Sequence, residues 1–507
     1  MHKLKIFFNR FVIISLMILL ELYILVLTLT YFNTYYNWVR ILGVILSIAV
    51  FFHIINRKQI PEFKLPWLFL MIVFPLLGTI LYVMFSSNRM TKKQNACFGE
   101  IEEEFKKLAN ISNQNIEKEL KEYRGIDQYL KNTAHTQGHL YNKSKFYRVG
   151  EEYYEDLLIE LKKAQKFIFM EYFIVEEGKM WNQIYQILVD KVQEGVEVRF
   201  LYDDLGCIGK LKGKFYKKMR EKGINCCRFN PFKPILSGIH NNRDHRKITV
   251  IDGKVAFTGG INLADEYINE KELYGHWKDT GLKIEGSAVT NFTMMFLQMF
   301  DVNRLVKSDY KKYLDVKTPK FENESGCVHP FGCGPAFFYK EQVGENNYLN
   351  IINNAKKYLY ITTPYLIIDY NISIALKNAA YRGVDVRIVT PSVPDKKIIF
   401  NMTRSNYKHL LEAGVKIYEY QPGFIHAKQL ICDDNLAFVG TINLDYRSLV
   451  HHYECGVMLY NTNSIKEIKD DFNFLFRTSH LKTEENFKMG RFAQFINNIL
   501  SLFSSMF

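Results

Sequence analysis

Acid is in short supply in this chain, and zinc-type cysteine spacing is missing altogether. Across 507 residues, 66 Lys and Arg face 53 Asp and Glu, a net charge of +13. That surplus argues against a cationic partner and for attraction to anionic surfaces. Of eight cysteines, no two pairs form C-x2-C, and the adjacent Cys226 and Cys227 cannot readily serve one site. A zinc ribbon or finger is thereby excluded. The cysteines read instead as reduced thiols; Cys432 falls in an apolar strand-like run, where a thiol packs as a small hydrophobe. The first apolar run also lacks a small-residue cleavage site, which argues against a removed leader.

Three apolar segments are present near the start. Residues 11–31 carry one charge, Glu21; residues 38–55 carry Arg40 near one end; residues 66–85 hold Pro75 and Gly78. A span needs ~20 mostly apolar residues, so each is a candidate. Lys3, Lys5 and Arg10 precede the first, residues 32–37 have no charge, and Arg57, Lys58 and Lys64 follow the second. Arg89, Lys92 and Lys93 follow the third. The positive-inside rule puts all three basic clusters on the cytoplasmic side. That pattern fits two spans, an interfacial or re-entrant third segment and a cytoplasmic body. Three spans with an external body is the alternative.

The strongest feature is a repeat. His245-x-Lys247-x4-Asp252 recurs 181 residues later as His426-x-Lys428-x4-Asp433. Both copies continue into Ala-Phe-x-Gly-x-Ile-Asn, ending at Asn262 and Asn443; nine positions are identical between 245–263 and 426–444. The run Ile248-Thr-Val-Ile251 predicts a strand closed by a turn at Asp252-Gly253. Side chains alternate along a strand, so each His and its Lys share a face. The tail predicts a neighbouring strand that stands Asn262 and Asn443 beside the pairs. Two His, two Lys and two Asn across a pseudo-two-fold axis suit a phosphodiester. Lysine and amide groups bind its oxygens, one imidazole attacks phosphorus, and the other protonates the leaving oxygen. No metal or cofactor is required by this set.

On these residues the chain resembles the phospholipase D superfamily over residues 147–481. The strands ahead of each motif echo one another too, as in Gly195-Val-Glu-Val-Arg199 and Gly383-Val-Asp-Val-Arg387. The resemblance implies two α/β sandwich half-domains related by pseudo-two-fold symmetry. Further stretches are similar to bacterial cardiolipin synthases: Trp277-Lys-Asp279-Thr280, Pro422-Gly-Phe-Ile-His426, and Gly440-Thr441-Ile-Asn443-Leu-Asp445-Tyr-Arg447-Ser448. The chain departs from that family at Ile368, where Pro is common, and at His452, where Asn is common. The implied reaction joins two phosphatidylglycerol molecules into cardiolipin and glycerol through a phosphohistidine on His245, with His426 as acid and then base. Nothing in the symmetric motifs themselves distinguishes the two histidines. Each imidazole needs an acceptor on its other nitrogen. Asp279 and Glu454, 34 and 28 residues past His245 and His426, are expected to fill that role. Asp252 and Asp433 are expected to brace the site from the strand ends.

The expected organisation is a membrane anchor at 1–88, a helical connector at 89–140, half-domains at 141–315 and 316–484, and an amphipathic helix at 485–507. Expected partners are phosphatidylglycerol and anionic lipids, with no nucleic acid; the oligomeric state stays open. A second lipid contact is expected at the basic run Lys210 to Lys222. The rival readings are a membrane-bound phospholipase D releasing phosphatidic acid, a phosphodiesterase of the same superfamily, and a scaffold with a defunct site.

Overall fold

The computed structural model describes residues 37–57, 60–86, 91–109, 116–232 and 241–483, with scattered positions between 19 and 30. The expected helix at 485–507 and most of the segment at 11–31 lie outside the described residues.

Two mixed sheets form the body. The first runs Lys143–Tyr147, Gly281–Glu285, Val255–Gly259, Lys247–Ile251, Phe167–Tyr172, Glu197–Asp203, Asn225–Phe229. The second repeats the last six of these as Glu454–Tyr460, Leu436–Gly440, Gln429–Cys432, Tyr358–Thr362, Asp385–Pro391, Lys416–Tyr420. It adds His139–Leu140, Cys327–Cys333 and Ser479–Lys482 at its edges. In each half the last three of the six are parallel, and the motif strand runs antiparallel to the first of them. Each motif strand therefore starts at the carboxyl ends of the parallel strands, where α/β sheets place their sites. The expected neighbour strands are present, with Ile248 opposite Thr258 and Leu430 opposite Phe438.

Helices Gly150–Lys162 and Lys179–Gln193 cover one face of the first sheet. The almost wholly buried helix Val289–Arg304 covers the other and packs on into the second half. The expected connector is helical, but it is no free linker. Ile101, Phe105, Leu120, Tyr123, Ile126 and Leu130 are buried in the core shared by the halves. Asp127 accepts a 2.6 Å hydrogen bond from the buried His329. All eight cysteines are free, and all but Cys97 are buried.

Ahead of the body, helix Asn37–Asn56 packs on two shorter helices, Pro61–Val73 and Pro75–Phe85. The third apolar segment is thus not one span. It breaks at Phe74, whose backbone leaves the helical region ahead of Pro75, because proline has no N–H to continue the helix. A β-carbon on Gly78 would lie 2.9 Å from the Leu70 backbone carbon, so only glycine lets the two helices approach this closely. At ~1.5 Å per residue each short helix falls well below the ~30 Å of a hydrocarbon core. Among the described residues, no helix is long and apolar enough to cross a membrane. The spans expected from hydropathy are not seen there. The helices do expose apolar side chains, among them Leu42, Ile45, Phe52 and Ile72. Phe63 docks the cluster on the second half, its ring 5.3 Å from His451 and 5.8 Å from Tyr446.

Candidate active site

Asp203, fully buried at the end of its strand, positions the first histidine. It pairs with Arg243 at 2.9 Å and accepts the Asp244 N–H at 3.0 Å. The backbone then crosses to the other half. Tyr453 N–H donates to Arg243 at 2.8 Å, and His245 N–H donates to the Tyr453 carbonyl at 2.9 Å. The second histidine repeats this arrangement. Strand Gly423–Ile425 pairs with His276–Lys278, and His426 N–H donates to the Lys278 carbonyl at 2.7 Å.

The residue after each bridging carbonyl is an acid, so the crossing delivers a carboxylate to each imidazole. His245 Nδ1 lies 2.9 and 2.8 Å from the two Glu454 oxygens. His426 Nδ1 lies 2.7 Å from Asp279 Oδ2. The order along the chain suggested that each acid serves the histidine of its own half; the structure exchanges them. Ionic contact with His245, together with hydrogen bonds, holds Glu454 well below the usual carboxylate range despite burial. Asp279 is lowered likewise, by His426 and Lys428. Both acids favour the anion and are placed to accept Nδ1–H, with Nε2 left as the uncommitted nitrogen of each ring; Lys428 Nζ also stands 2.8 Å from His426 Nδ1. Burial lowers both imidazoles, His245 well below its ordinary value and His426 to about 4.

Lys247 and Lys428 are fully buried, and their ammonium groups donate to the His245 and His426 carbonyls at 2.6 and 2.5 Å. Desolvation lowers Lys247 to about 8 and Lys428 to about 7. The half-sites converge, since each histidine is held by the acid of the other half. An anion placed between them would favour the charged form of all four groups.

The other expected residues divide. Asn262 is committed to the fold: its oxygen accepts from Ile174 N–H at 3.0 Å, and its amide donates to Tyr267 at 2.7 Å. The Asn443 oxygen is buried without a partner among the described residues. Asp252 accepts three backbone N–H groups, from Gln165, Lys166 and Phe167, at 2.7–2.9 Å. Asp433 does the same for Lys356, Lys357 and Tyr358 at 2.8 Å. Both aspartates follow the far ends of the motif strands, roughly 20 Å from the histidines at ~3.3 Å per residue. They clamp the start of the adjoining strand and do not face the pocket. Asp252→Ala should lower stability by about 2–4 kcal/mol, since three donors lose one acceptor. A thermal melt in detergent measures this, and the folded fraction should keep its rate within roughly threefold.

Several site residues were not foreseen. Thr441 and Ser448 hydroxyls donate to Glu454, Ser448 at 2.7 Å. Gly260 occupies the place of Thr441 in the first motif, where a β-carbon would come within 2.0 Å of Asp279. Rings flank both histidines: Phe173 and His452 at 4.9 and 5.5 Å from His245, Tyr267 and Trp277 at 5.6 and 5.5 Å from His426. His245, His452 and Glu454 bring ligand atoms within 4.8 Å of one another, a set compatible with a cation, although Glu454 is already committed to three donors. Trp277, Thr441, Ser448 and His452 stood in the stretches that carry the family resemblance, whereas nothing in the sequence marked Phe173 or Tyr267.

The basic run is partly neutralised. Lys210 pairs with Glu176 and Glu266, and Lys212 with Glu177 at 3.0 Å. Lys212, Lys214 and Arg228 line a cavity of about 210 Å³ with Tyr202, Phe215 and Tyr216, which the histidines do not line.

The chain is similar to known proteins. It matches the family described as "Cardiolipin synthase, PLD-like domain" over residues 157–290 and 348–476. Residues 45–86 match "Phospholipase_D-nuclease N-terminal". A cardiolipin synthase of Alkalihalophilus pseudofirmus is 36% identical over 463 residues, covering 90% of each chain. An uncharacterized protein of Streptococcus mutans is 42% identical over 87% of this chain and 95% of its own. Among solved structures, phosphatidylserine synthase of Haemophilus influenzae superposes with a TM-score of 0.55 at 13% identity. It covers 75% of this chain and 97% of that one, a likeness of fold.

Proposed function

The chain belongs to the cardiolipin synthase family with phospholipase D-like domains, and from that membership we propose that it is a phosphatidyltransferase making cardiolipin from two phosphatidylglycerol molecules. The observation that carries the mechanism is the pair of buried imidazoles. Each is held at Nδ1 by a carboxylate and accompanied by a buried lysine. In the first step His245 Nε2 forms a bond to phosphorus while the bond to the headgroup glycerol oxygen breaks. His426, charged once the anionic diester is bound, gives that oxygen its proton. In the second step a hydroxyl of another phosphatidylglycerol attacks phosphorus, the phosphorus–nitrogen bond breaks, and His426 takes the hydroxyl proton. Lys247 and Lys428 neutralise the non-bridging oxygens in both steps. Asn443, with its uncommitted oxygen, is the better placed of the two asparagines to meet substrate; Asn262 holds Tyr267, whose ring flanks His426.

Water competes with the acceptor alcohol, so the chemistry needs a dry pocket and a lipid surface. Burial of both histidines supports the first. The exposed apolar faces of the helices at 37–85 and the basic residues around them support membrane attachment at residues 1–88, with the two half-domains facing the cytoplasm.

Purified full-length protein in phosphatidylglycerol vesicles, with a chelator and no added metal, should yield one glycerol per cardiolipin. Chromatography of the lipids together with a glycerol assay measures it. Phosphatidic acid with glycerol in place of cardiolipin would make the enzyme a phospholipase D.

A further inference from the structure

His452 is 8% exposed, and neither ring nitrogen has a hydrogen-bond partner among the described residues. Its Nδ1 stands 3.6 Å from Glu454 Oε1, too far for a hydrogen bond. The Glu454 oxygens are in any case taken by His245, Thr441 and Ser448. The backbone beneath the ring is fixed: the His452 backbone N–H donates to the Arg447 carbonyl at 2.8 Å, and the Tyr453 N–H to the Arg243 carbonyl at 2.8 Å. A buried imidazole with two idle nitrogens is retained at a cost unless something else pairs them.

Symmetry says where that partner sits. His452 precedes Glu454 by two residues, as Trp277 precedes Asp279. Each lies with its ring 5.5 Å from the histidine that its acid holds. The Trp277 Nε1 is also unpartnered among the described residues, but an indole only donates, whereas an imidazole both donates and accepts. The two ends of the pocket therefore differ in what they can read. Phosphoryl oxygens only accept, and two buried lysines already serve them. The group that matches a donor-and-acceptor ring is a hydroxyl.

We propose that His452 is a substrate-contacting residue that hydrogen-bonds a headgroup hydroxyl of the lipid bound against His245, and so selects hydroxylated headgroups. This rests on the phosphatidyl-transfer reading above. The test compares phosphatidylglycerol with phosphatidylethanol, which lacks headgroup hydroxyls, by release of the headgroup alcohol from vesicles containing full-length protein. Wild type should favour phosphatidylglycerol in kcat/KM. His452→Phe keeps ring shape without hydrogen bonding, and should lose roughly 10-fold or more on phosphatidylglycerol, mostly in KM, with little change on phosphatidylethanol. His452→Asn keeps a donor and an acceptor and should recover most of that loss; it carries the test if the Phe variant does not fold. Equal losses on both lipids, or none on either, would overturn the proposal. Wild type inactive on both lipids would instead overturn the transfer reading, and this inference with it.

Discussion

Alanine at His245 or at His426 is expected to cut cardiolipin formation by about 10⁴-fold, or about 5.5 kcal/mol of transition-state stabilisation. Neither loss can be made good from nearby. His245 and His426 are each more than nine-tenths buried, so water that fills the space has no carboxylate-oriented ring to replace. The two variants should nevertheless fail differently. With a phosphatidyl donor bearing a nitrophenol leaving group, departure needs no proton. His426→Ala should then still release a burst of nitrophenol and retain label on the protein, while His245→Ala should do neither. Rapid quench with labelled donor reads this directly. Label on His245→Ala and none on His426→Ala would reverse the roles of nucleophile and acid.

The crossing of the acids makes a second large effect specific. Glu454→Gln should reduce turnover by about 10²–10⁴-fold through loss of the charge that fixes Nδ1–H, and Asp279→Asn by a similar factor. Because Glu454 serves His245 from 209 residues away and Asp279 serves His426 from 147, each amide should copy the defect of the opposite half's histidine. In the burst assay Glu454→Gln should behave as His245→Ala and Asp279→Asn as His426→Ala. The reverse pattern would mean that the exchanged pairing does not operate during turnover. Thr441 and Ser448 also lean on Glu454, whereas Asp279 faces Gly260 with no side chain to help. The Glu454 carboxylate is therefore the more firmly placed of the two.

Much of this was open to reading from residue order alone. A five-residue strand with side chains on alternate faces needs only local chemistry, so the duplicated motif located both histidines, both lysines and their strands before any tertiary contact was known. The same local logic placed the turn at Asp252. It could not say what the two aspartates hold, because their partners are backbone N–H groups 75–87 residues away. Nor could it predict the burial of the connector, whose apolar residues face both halves at once.

What the sequence by itself determined was the set of side chains, two histidines and two lysines at the same spacing in two copies of one motif. What only the tertiary structure decided was which acid serves which histidine, and that His452 and Trp277 stand over the two rings. The reason is that two nearly identical half-sites offer each histidine two chemically equivalent acids. Only the seam, where His245 N–H meets the Tyr453 carbonyl and His426 N–H meets that of Lys278, breaks the tie.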